Sequence, residues 1–280
     1  MVTILLATYN SEPYIREQLD SILNQSYKEW KLVVRDDLSN DRTVEIISEY
    51  ISRYPDKISI LDNHGESKRA YLNFVELLKN VESEYYMFCD HDDVWLPYKI
   101  ELSMKRMKEV EKPDIPVVVH TDMRVVNEGL DTICDSFWRY SRLLPDHVEF
   151  KELAVCNSVN GCTMAFNKKA RDLSLTHVAH ARMHDKLVAR TVAANGGIIS
   201  AIKAPTVLYR QHLDNVVGAH LRNKSFYKSK LKHLRHTIKR NIESWRLSSQ
   251  IQYYSFASFI VMKIKMSYYR YRVKIRKNNI

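Results

Sequence analysis

The chain has 280 residues, of which 45% are hydrophobic and 10% aromatic, so it can bury a large core. Its six glycines and seven prolines follow no period, which excludes collagen-like, repeat and largely disordered proteins. The net charge of +10 is uneven: residues 222–280 carry 16 Lys and Arg against one acid, whereas residues 1–221 carry 27 against 32. This basic tail indicates an anionic partner, either a membrane surface or a nucleic acid.

The cysteines and the apolar segments indicate the compartment. The four cysteines form no CxxC pair and three stand in apolar runs, so we predict a reduced, cytoplasmic protein. Residues 1–7 lack a basic segment and form too short an apolar run for a signal peptide, so they predict a strand. No run of about 20 apolar residues occurs, and we expect no membrane-spanning helix.

The first hundred residues alternate short apolar runs with amphipathic stretches, which is the pattern of βαβ units that build a parallel sheet. Strands are predicted at residues 2–7, 31–35, 58–61 and 85–89. Between them, apolar residues at three- and four-residue spacing predict helices.

The pattern changes to α+β after a helix predicted at about residues 97–111. Further strands are predicted at residues 117–120, 163–166, 198–202 and 207–209, and helices at 168–173 and 184–194. From about residue 222 the apolar spacing predicts a helical tail.

Polar residues follow three of the predicted strands at the point where each strand ends. They are Thr8 and Asn10 after the first strand, Asp36 and Asp37 after the second, and Asp90, Asp92 and Asp93 after the fourth. Because ligands bind beyond the carboxyl ends of strands in open parallel sheets, we expect these residues to meet in one cleft.

Asp90, Asp92 and Asp93 leave a buried strand together, and two interpretations of this cluster are open. Carboxylates so close repel one another unless a cation or hydrogen-bond donors offset their charge. Mg²⁺ and Mn²⁺ take oxygen ligands, so a divalent metal site is one interpretation. The other is an acidic helix start, since Asp caps helices and suits their N-terminal dipole.

Six short stretches occur in a suggestive order. They are TYN (8–10), VVRDD (33–37), CDHDDVW (89–95), NGCTMAF (160–166), MHD (183–185) and YRQH (209–212). Together they resemble the inverting family 2 glycosyltransferases of bacterial polysaccharide assembly, in particular the rhamnosyltransferase and capsule types. The resemblance extends over roughly residues 1–215.

This resemblance implies an α/β GT-A fold, Rossmann-like with a mainly parallel sheet and flanking helices, followed by the basic helical tail. Residues 1–111 would form the nucleotide-sugar-binding half and residues 112–221 the acceptor-binding and catalytic half of one domain, with residues 222–280 as the tail. The implied activity is transfer from a UDP- or dTDP-linked sugar to a hydroxyl of a growing surface glycan.

The resemblance also implies roles along the donor. Thr8, Tyr9 and Asn10 would lie along the nucleotide, Asp37 would accept hydrogen bonds from the base, and Asp90 would hold the ribose. For Asp37 the alternative is a cap on the turn that follows it. Arg69 is a further candidate for the base or the phosphates, although its segment departs from the compact arginine-asparagine motif of many relatives.

The metal site and the general base are implied in the same way. Asp92 would ligate Mn²⁺ or Mg²⁺ bridging the donor diphosphate, His212 would complete the metal or diphosphate site, and Arg210 would neutralise phosphate charge. Asp185 would be the general base. The alternatives are an ordinary surface histidine for His212 and a helix-start carboxylate for Asp185. His91 stands where glutamine or alanine is common.

Five more residues are candidates for supporting the metal site or contacting the acceptor. They are Asp93, Trp95, Asn160, Gly161 and His184. The resemblance places the Asn160-Gly161 segment against the donor sugar and the acceptor, whereas the residues alone also suit a simple turn. Trp95 is either a core residue or an acceptor platform.

The tail indicates the remaining partners, because its basic residues alternate with aromatic ones that suit the headgroup level of an anionic membrane. We therefore expect a peripheral protein on the inner face of the bacterial membrane, within reach of a lipid-linked or protein-linked glycan acceptor. Alternatively, residues 222–280 pack on the body or on another subunit of a homo-oligomer.

Two other functions are compatible with parts of the sequence. In the first, the tail binds single-stranded nucleic acid and the α/β body is a scaffold. We expect no nucleic acid, because this leaves the acidic strand ends unexplained. The second is a catalytically silent glycan-binding relative, against which Asp92, Asp185 and His212 argue.

Overall fold

A nine-stranded sheet runs through the part of the chain that the computed structural model describes, which comprises residues 1–64, 69–212 and 234–272. In chain order the elements are β1 (Val2–Thr8), α1 (Ile15–Leu23), β2 (Trp30–Asp36), α2 (Thr43–Arg53), β3 (Ile58–Ile60), α3 (Arg69–Asn80), β4 (Tyr85–Cys89), β5 (Val94–Trp95), α4 (Lys99–Val110), β6 (Val117–Val126), β7 (Thr132–Cys134), α5 (Phe137–Tyr140), α6 (Phe150–Val155), β8 (Met164–Asn167), α7 (Lys168–Leu175), α8 (His184–Ala194), β9 (Ile198–Arg210), α9 (Leu234–Ile251) and α10 (Phe256–Arg272).

The strands are arranged in the order β3-β2-β1-β4-β8-β6-β9-β5, and β7 pairs with β6. β1 to β4, β6 and β9 run in one direction, whereas β5, β7 and β8 run against them. The mainly parallel sheet is therefore confirmed. In β1 all seven residues are buried, because helices cover both faces of this part of the sheet.

Alternate residues of β1 point to opposite faces of the sheet. Ile4 belongs to one apolar cluster with Leu19 of α1 and Ile47 of α2. Leu5 belongs to a second cluster with Phe74 of α3 and Val188 of α8. Burying an aliphatic or aromatic side chain of this size contributes about 1.5–3 kcal/mol, so these two layers account for much of the stability. They also fix the strand ends at which the polar residues lie.

The strands predicted at residues 198–202 and 207–209 are one continuous strand, β9. The register against β6 shifts where Asp122 pairs with Pro205. Proline cannot donate to the ladder, which explains why the sequence pattern breaks there although the strand continues. The short elements β5, β7, α5 and α6 were not predicted.

The helical tail is confirmed for α9 and α10, whereas the prediction for residues 222–233 and 273–280 falls outside the described residues. Phe259 of α10 packs in a third apolar cluster with Phe150 of α6 and Tyr254. Among the described residues no helix has both the length and the hydropathy needed to cross a bilayer.

Candidate active site

The carboxyl ends of β1 and β2 meet as predicted, and their polar residues hold each other in place. Thr8 pairs with Asp36 in the parallel register, and its hydroxyl donates to Asp36 Oδ1 at 2.8 Å. Asp36 also accepts from the N–H and the hydroxyl of Ser39 at 2.8 and 2.6 Å. The Thr8 side chain is therefore buried in the wall of the cleft, and direct contact of its hydroxyl with a nucleotide is not supported. Tyr9, the next residue, is 54% exposed.

Asn10 joins the loops that follow β1 and β2. Its N–H donates to the Ser39 hydroxyl at 2.8 Å, and its side-chain oxygen accepts from the N–H of Asn40 at 2.9 Å. The backbone of Asn10 is left-handed, with φ of 45°, which asparagine tolerates better than most residues. Asn10 thus sets the shape of this side of the cleft.

Asp37 and Arg69 are brought together, although 32 residues separate them. The Asp37 Oδ2 atom accepts from the backbone N–H of Arg69 at 3.0 Å, at the start of α3. The turn after β2 is held by the neighbouring Asp36, whose Oδ2 accepts from Ser39. The carboxylate of Asp37 therefore interacts with the N-terminal dipole of α3.

The end of β4 gathers acidic side chains around a buried thiol. Ligand atoms of Asp90, Asp93 and Cys162 all lie within 4.8 Å of one another. Burial, and then the charges of Asp92 and Asp185, raise the pKa of Asp90 to about 7. Burial, and then the charges of Asp92 and Asp90, raise the pKa of Asp93 well above its usual range.

Asp93 is fully buried and holds the end of β9. Its Oδ1 atom accepts from the N–H of Arg210 at 3.1 Å, while its Oδ2 atom is buried without a hydrogen-bond partner among the described residues. Lys99 is also buried, and its Nζ atom lies 4.5 Å from the centre of the Trp95 ring. Burial lowers the pKa of Lys99 to about 8.

The two predicted metal ligands are in direct contact. His212 Nε2 lies 2.9 Å from Asp92 Oδ2, and the imidazole packs against Tyr14 with ring centres 4.8 Å apart. The His212 side chain is only 6% exposed, so the interpretation as an ordinary surface histidine is wrong.

Arg210 differs from its predicted role. Its guanidinium donates to the backbone oxygens of Asp92 and Glu128 and to the carboxylate of Glu17, and it lies over the Tyr14 ring at 5.0 Å. Arg210 is 3% exposed because the strand end turns it inward. Its charge is matched by protein groups, so the prediction that Arg210 neutralises donor phosphate is not supported. It braces the loop that carries Asp92.

Asp185 lies in the first turn of α8 with both carboxylate oxygens held. Oδ2 accepts from the Asn157 side-chain amide at 2.9 Å, and Oδ1 accepts from the Lys186 N–H at 2.6 Å. The charge of Asp185 also contributes to the raised pKa of Asp90, so the two carboxylates are close enough to interact electrostatically.

His184 is packed inside the protein beside Asp185. The centre of the His184 ring lies 3.9 Å from the centre of the Phe74 ring and 4.6 Å from that of the Phe88 ring. Burial lowers the pKa of His184 to about 4. A Cβ atom on Gly161 would come within 2.3 Å of its Nε2. The pair therefore sets the position of the first turn of α8 against the strand ends.

Trp95 and Asn160 also have structural surroundings. Trp95 is 2% exposed and belongs to the main apolar cluster, which agrees with the core alternative and not with the acceptor platform. The Asn160 carbonyl accepts from the N–H and hydroxyl of Thr163, the residue directly before β8. Asn160 Oδ1 is buried without a partner among the described residues.

Sequence reasoning missed Asn157, Glu17 and Cys162 as members of the site. Asn157 lies three residues before the NGCTMAF stretch, yet it contacts a carboxylate 28 residues away. Glu17 reaches Arg210 across 193 residues. No local pattern signals contacts of this length. Cys162 lies inside the NGCTMAF stretch, but it was considered only as a cysteine in an apolar run.

The donor set at this edge fits a divalent cation. Carboxylate oxygens and an imidazole suit Mn²⁺, and carboxylates with substrate phosphates suit Mg²⁺. Two pairs of residues offer ligands for such an ion. One pair is Asp92 and His212, which are in contact with each other. The other is Asp90 and Asp93, and the buried Oδ2 atom of Asp93 has no hydrogen-bond partner among the described residues. The three aspartates lie in the loop between β4 and β5, and His212 follows β9.

The chain is similar in sequence to known glycosyltransferases. The profile described as "Glycosyl transferase family 2" matches residues 3–171. The chain is 29% identical over 239 residues to the dTDP-rhamnosyl transferase RfbG of Shigella flexneri, covering 80% of this chain and 77% of RfbG. It is 31% identical over 144 residues to EpsE of Bacillus subtilis, covering 51% of this chain and 48% of EpsE. The chain thus spans about half the length of EpsE.

Solved structures agree on the fold. TarS 1–349 of S. aureus in complex with UDP-GlcNAc superposes with a TM-score of 0.60 at 18% identity, covering 96% of this chain and 72% of that one. The mannosyltransferase PcManGT from Pyrobaculum calidifontis, in complex with GDP-Man and Mn²⁺, gives 0.55 at 18% identity, covering 96% and 73%. The predicted GT-A fold is confirmed.

Proposed function

Since this chain belongs to glycosyl transferase family 2, we propose that it is an inverting transferase that moves a sugar from a UDP- or dTDP-linked donor to a hydroxyl of a growing surface glycan. The observation that carries the proposal is the placement of Asp185. Its carboxylate is held by the Asn157 amide and by the N–H of Lys186, and its charge acts on Asp90 at the end of β4.

The donor side of the cleft is formed by the ends of β1, β2 and β4. Tyr9 is open to solvent, and Asp37 lies at the start of α3 beside Arg69, where a base can be held. The names of RfbG and of the TarS complex support a dTDP- or UDP-linked donor. Asp90 is the proposed partner of the ribose.

The acceptor side provides the base. Asp185 takes the proton of the acceptor hydroxyl as that oxygen bonds to the anomeric carbon from the face opposite the leaving group. The bond from that carbon to the diphosphate breaks, and the nucleoside diphosphate leaves with the electron pair, which inverts the configuration. A positioned general base contributes about 10²–10⁴-fold to the rate.

Mn²⁺ or Mg²⁺ held by Asp92 and His212, with Asp90 and Asp93 at the same edge, would stabilise the negative charge of the departing diphosphate as a Lewis acid. The contact between Asp92 and His212 supports this assignment, as does the Mn²⁺ in the PcManGT complex. Arg210 fixes the loop of Asp92 through its backbone oxygen at 2.9 Å.

The proposal is tested by a thermal-shift panel of UDP- and dTDP-sugars with and without Mn²⁺. A ligand present at about 100 times its Kd stabilises a folded protein by about 2.7 kcal/mol, which is easily measured. We expect at least one donor to raise the unfolding temperature only when the metal is present. If no donor gives a metal-dependent shift, the proposed metal-dependent donor site is wrong.

A further inference from the structure

An exposed apolar stripe runs along α10. Val261, Ile264, Tyr268 and Tyr271 recur at three- and four-residue steps and therefore lie on one face of the helix. They are 66%, 66%, 56% and 72% exposed. Single exposed apolar residues are common on monomeric proteins, whereas a continuous row marks a contact surface. These four residues are called the α10 stripe below.

The opposite face of α10 is fixed to the body of the protein. Phe259 is fully buried against Phe150 and Tyr254. The guanidinium of Arg270, itself 8% exposed, donates to the backbone oxygens of Ser141 and Arg142 at 2.7 Å each. Packing on the body therefore accounts for one face of the helix and leaves the α10 stripe on the other.

Basic side chains lie beside the α10 stripe. Lys265 and Arg272 are both exposed. The Lys265 ammonium lies 5.6 Å from the Tyr269 ring centre, and the Arg272 guanidinium lies 5.8 Å from that of Tyr268. Residues 234–272 contain eight Lys and Arg against a single acid, Glu243.

This combination selects one occupant. A second copy of the chain would bring like charges together across the interface, which is unfavourable. A nucleic acid would match the charge but would leave the aliphatic side chains of Val261 and Ile264 without an apolar partner. An anionic bilayer offers acyl chains, a headgroup level where tyrosine rings settle, and negative charge for Lys and Arg.

We propose that the α10 stripe, with Lys265 and Arg272 beside it, docks on the surface of an anionic lipid bilayer. The helix lies in the plane of the surface, with its aliphatic side chains at the acyl boundary and its tyrosine rings among the headgroups. Docking of this kind does not depend on the proposed glycosyl transfer.

The helix α9, which precedes the docked α10, contacts the helix that carries the proposed base. In α9, the Ser244 hydroxyl lies 3.3 Å from the Arg190 guanidinium of α8, and both groups donate to the Ala154 oxygen. Asp185 is in the first turn of that same α8. A membrane-docked α10 therefore holds the acceptor side of the cleft at a fixed distance from the lipid, which favours a lipid-linked acceptor. This consequence rests on the proposed function.

The test is cosedimentation of the full chain with vesicles, without any sugar nucleotide. Vesicles of phosphatidylcholine alone are compared with vesicles that also contain phosphatidylglycerol, at low and at high salt. We expect binding to the anionic vesicles only, weakened by salt because exposed charges are screened. The variant Ile264→Ser/Tyr268→Ser should bind at least about tenfold more weakly, since each side chain removes apolar contact area.

A matched control is Ile133→Ser/Tyr54→Ser, because these residues have the same side chains and are 45% and 40% exposed away from α10. It should bind as the unmodified chain does. A second variant, Lys265→Glu/Arg272→Glu, keeps the apolar side chains and should also lose binding. It provides an independent test if the serine variant does not fold.

Three results would overturn the proposal. The first is that the folded chain does not bind anionic vesicles, and the second is that the stripe variant and its control bind equally well. The third is that the chain does not bind vesicles but forms a dimer, and that the stripe variant is monomeric. The change in unfolding temperature on adding donor and metal, measured on the same samples, reports on the active site separately. A failure of docking is thereby distinguished from a failure of the proposed function.

Discussion

His212 Nε2 lies 2.9 Å from Asp92 Oδ2, although 120 residues separate the two in the chain. The antiparallel pairing of β5 with β9 produces this contact, because Val94 opposite Leu208 places the residues before β5 beside those after β9. An acidic loop after a parallel strand thereby gains an imidazole from a distant strand, and the two side chains together form the proposed oxygen and nitrogen ligand set.

Replacement of Asp92 tests this ligand set. Asp92→Ala is expected to abolish the Mn²⁺ dependence of donor binding, because it removes the proposed metal ligand. The fold should persist, since the substitution also takes one negative charge from a repulsive cluster. Isothermal titration of the donor with and without Mn²⁺ measures the effect. Asp56→Ala, at an exposed aspartate, is the control, and unchanged metal dependence in Asp92→Ala would rule out its role as a ligand.

Gly161 has no room for a side chain. Gly161→Ala would drive a Cβ into the His184 ring, so we expect a loss of about 1–3 kcal/mol in the free energy of unfolding. Turnover should fall as well, since the displaced ring precedes Asp185. Gly129→Ala is the matched control, because its nearest contact would be 3.6 Å. The double variant Gly161→Ala/His184→Ala should be less destabilised than the sum of the two single variants, as urea unfolding would show.

Two buried histidines make stability depend on acidity. Burial lowers the pKa of both His120 and His184 from 6.5 to about 4. As the pH falls, the two histidines are therefore protonated in the unfolded chain before they are protonated in the folded protein. The stability that the neutral buried rings allow is complete above pH 6.5 and decreases as the pH falls towards 4. Each should reduce the free energy of unfolding by about 1.4 kcal/mol per pH unit in that window.

Urea unfolding across this pH range measures the effect. His120→Gln and His184→Gln should each flatten the pH profile, because glutamine does not titrate. His64→Gln, at an exposed histidine, should leave the profile unchanged. Equal slopes in all three variants would show that the buried rings do not cause the acid sensitivity.

The strand ends and the acidic cluster were predictable because both depend on local pattern. An apolar run followed by Asp90 gives the strand, the sheet edge and the charge without knowledge of the remaining chain. The role of Arg210 was not predictable, because it depends on Glu17, which is 193 residues away. For Trp95 the sequence left a core residue and an acceptor platform open, and only the apolar cluster around it decides between them. The close packing of Gly161 against His184 was likewise not predictable, since no local pattern around either residue indicates it.

The central claim is that Asp185 is the general base, and turnover of Asp185→Asn with the donor found by thermal shift tests it most directly. Asparagine keeps the size of the side chain, so donor affinity should stay unchanged while kcat falls by about 10²–10⁴-fold. Asp114→Asn, at an exposed aspartate, should match the unmodified enzyme in both quantities. Near-normal kcat in Asp185→Asn, with donor binding intact, would contradict the account.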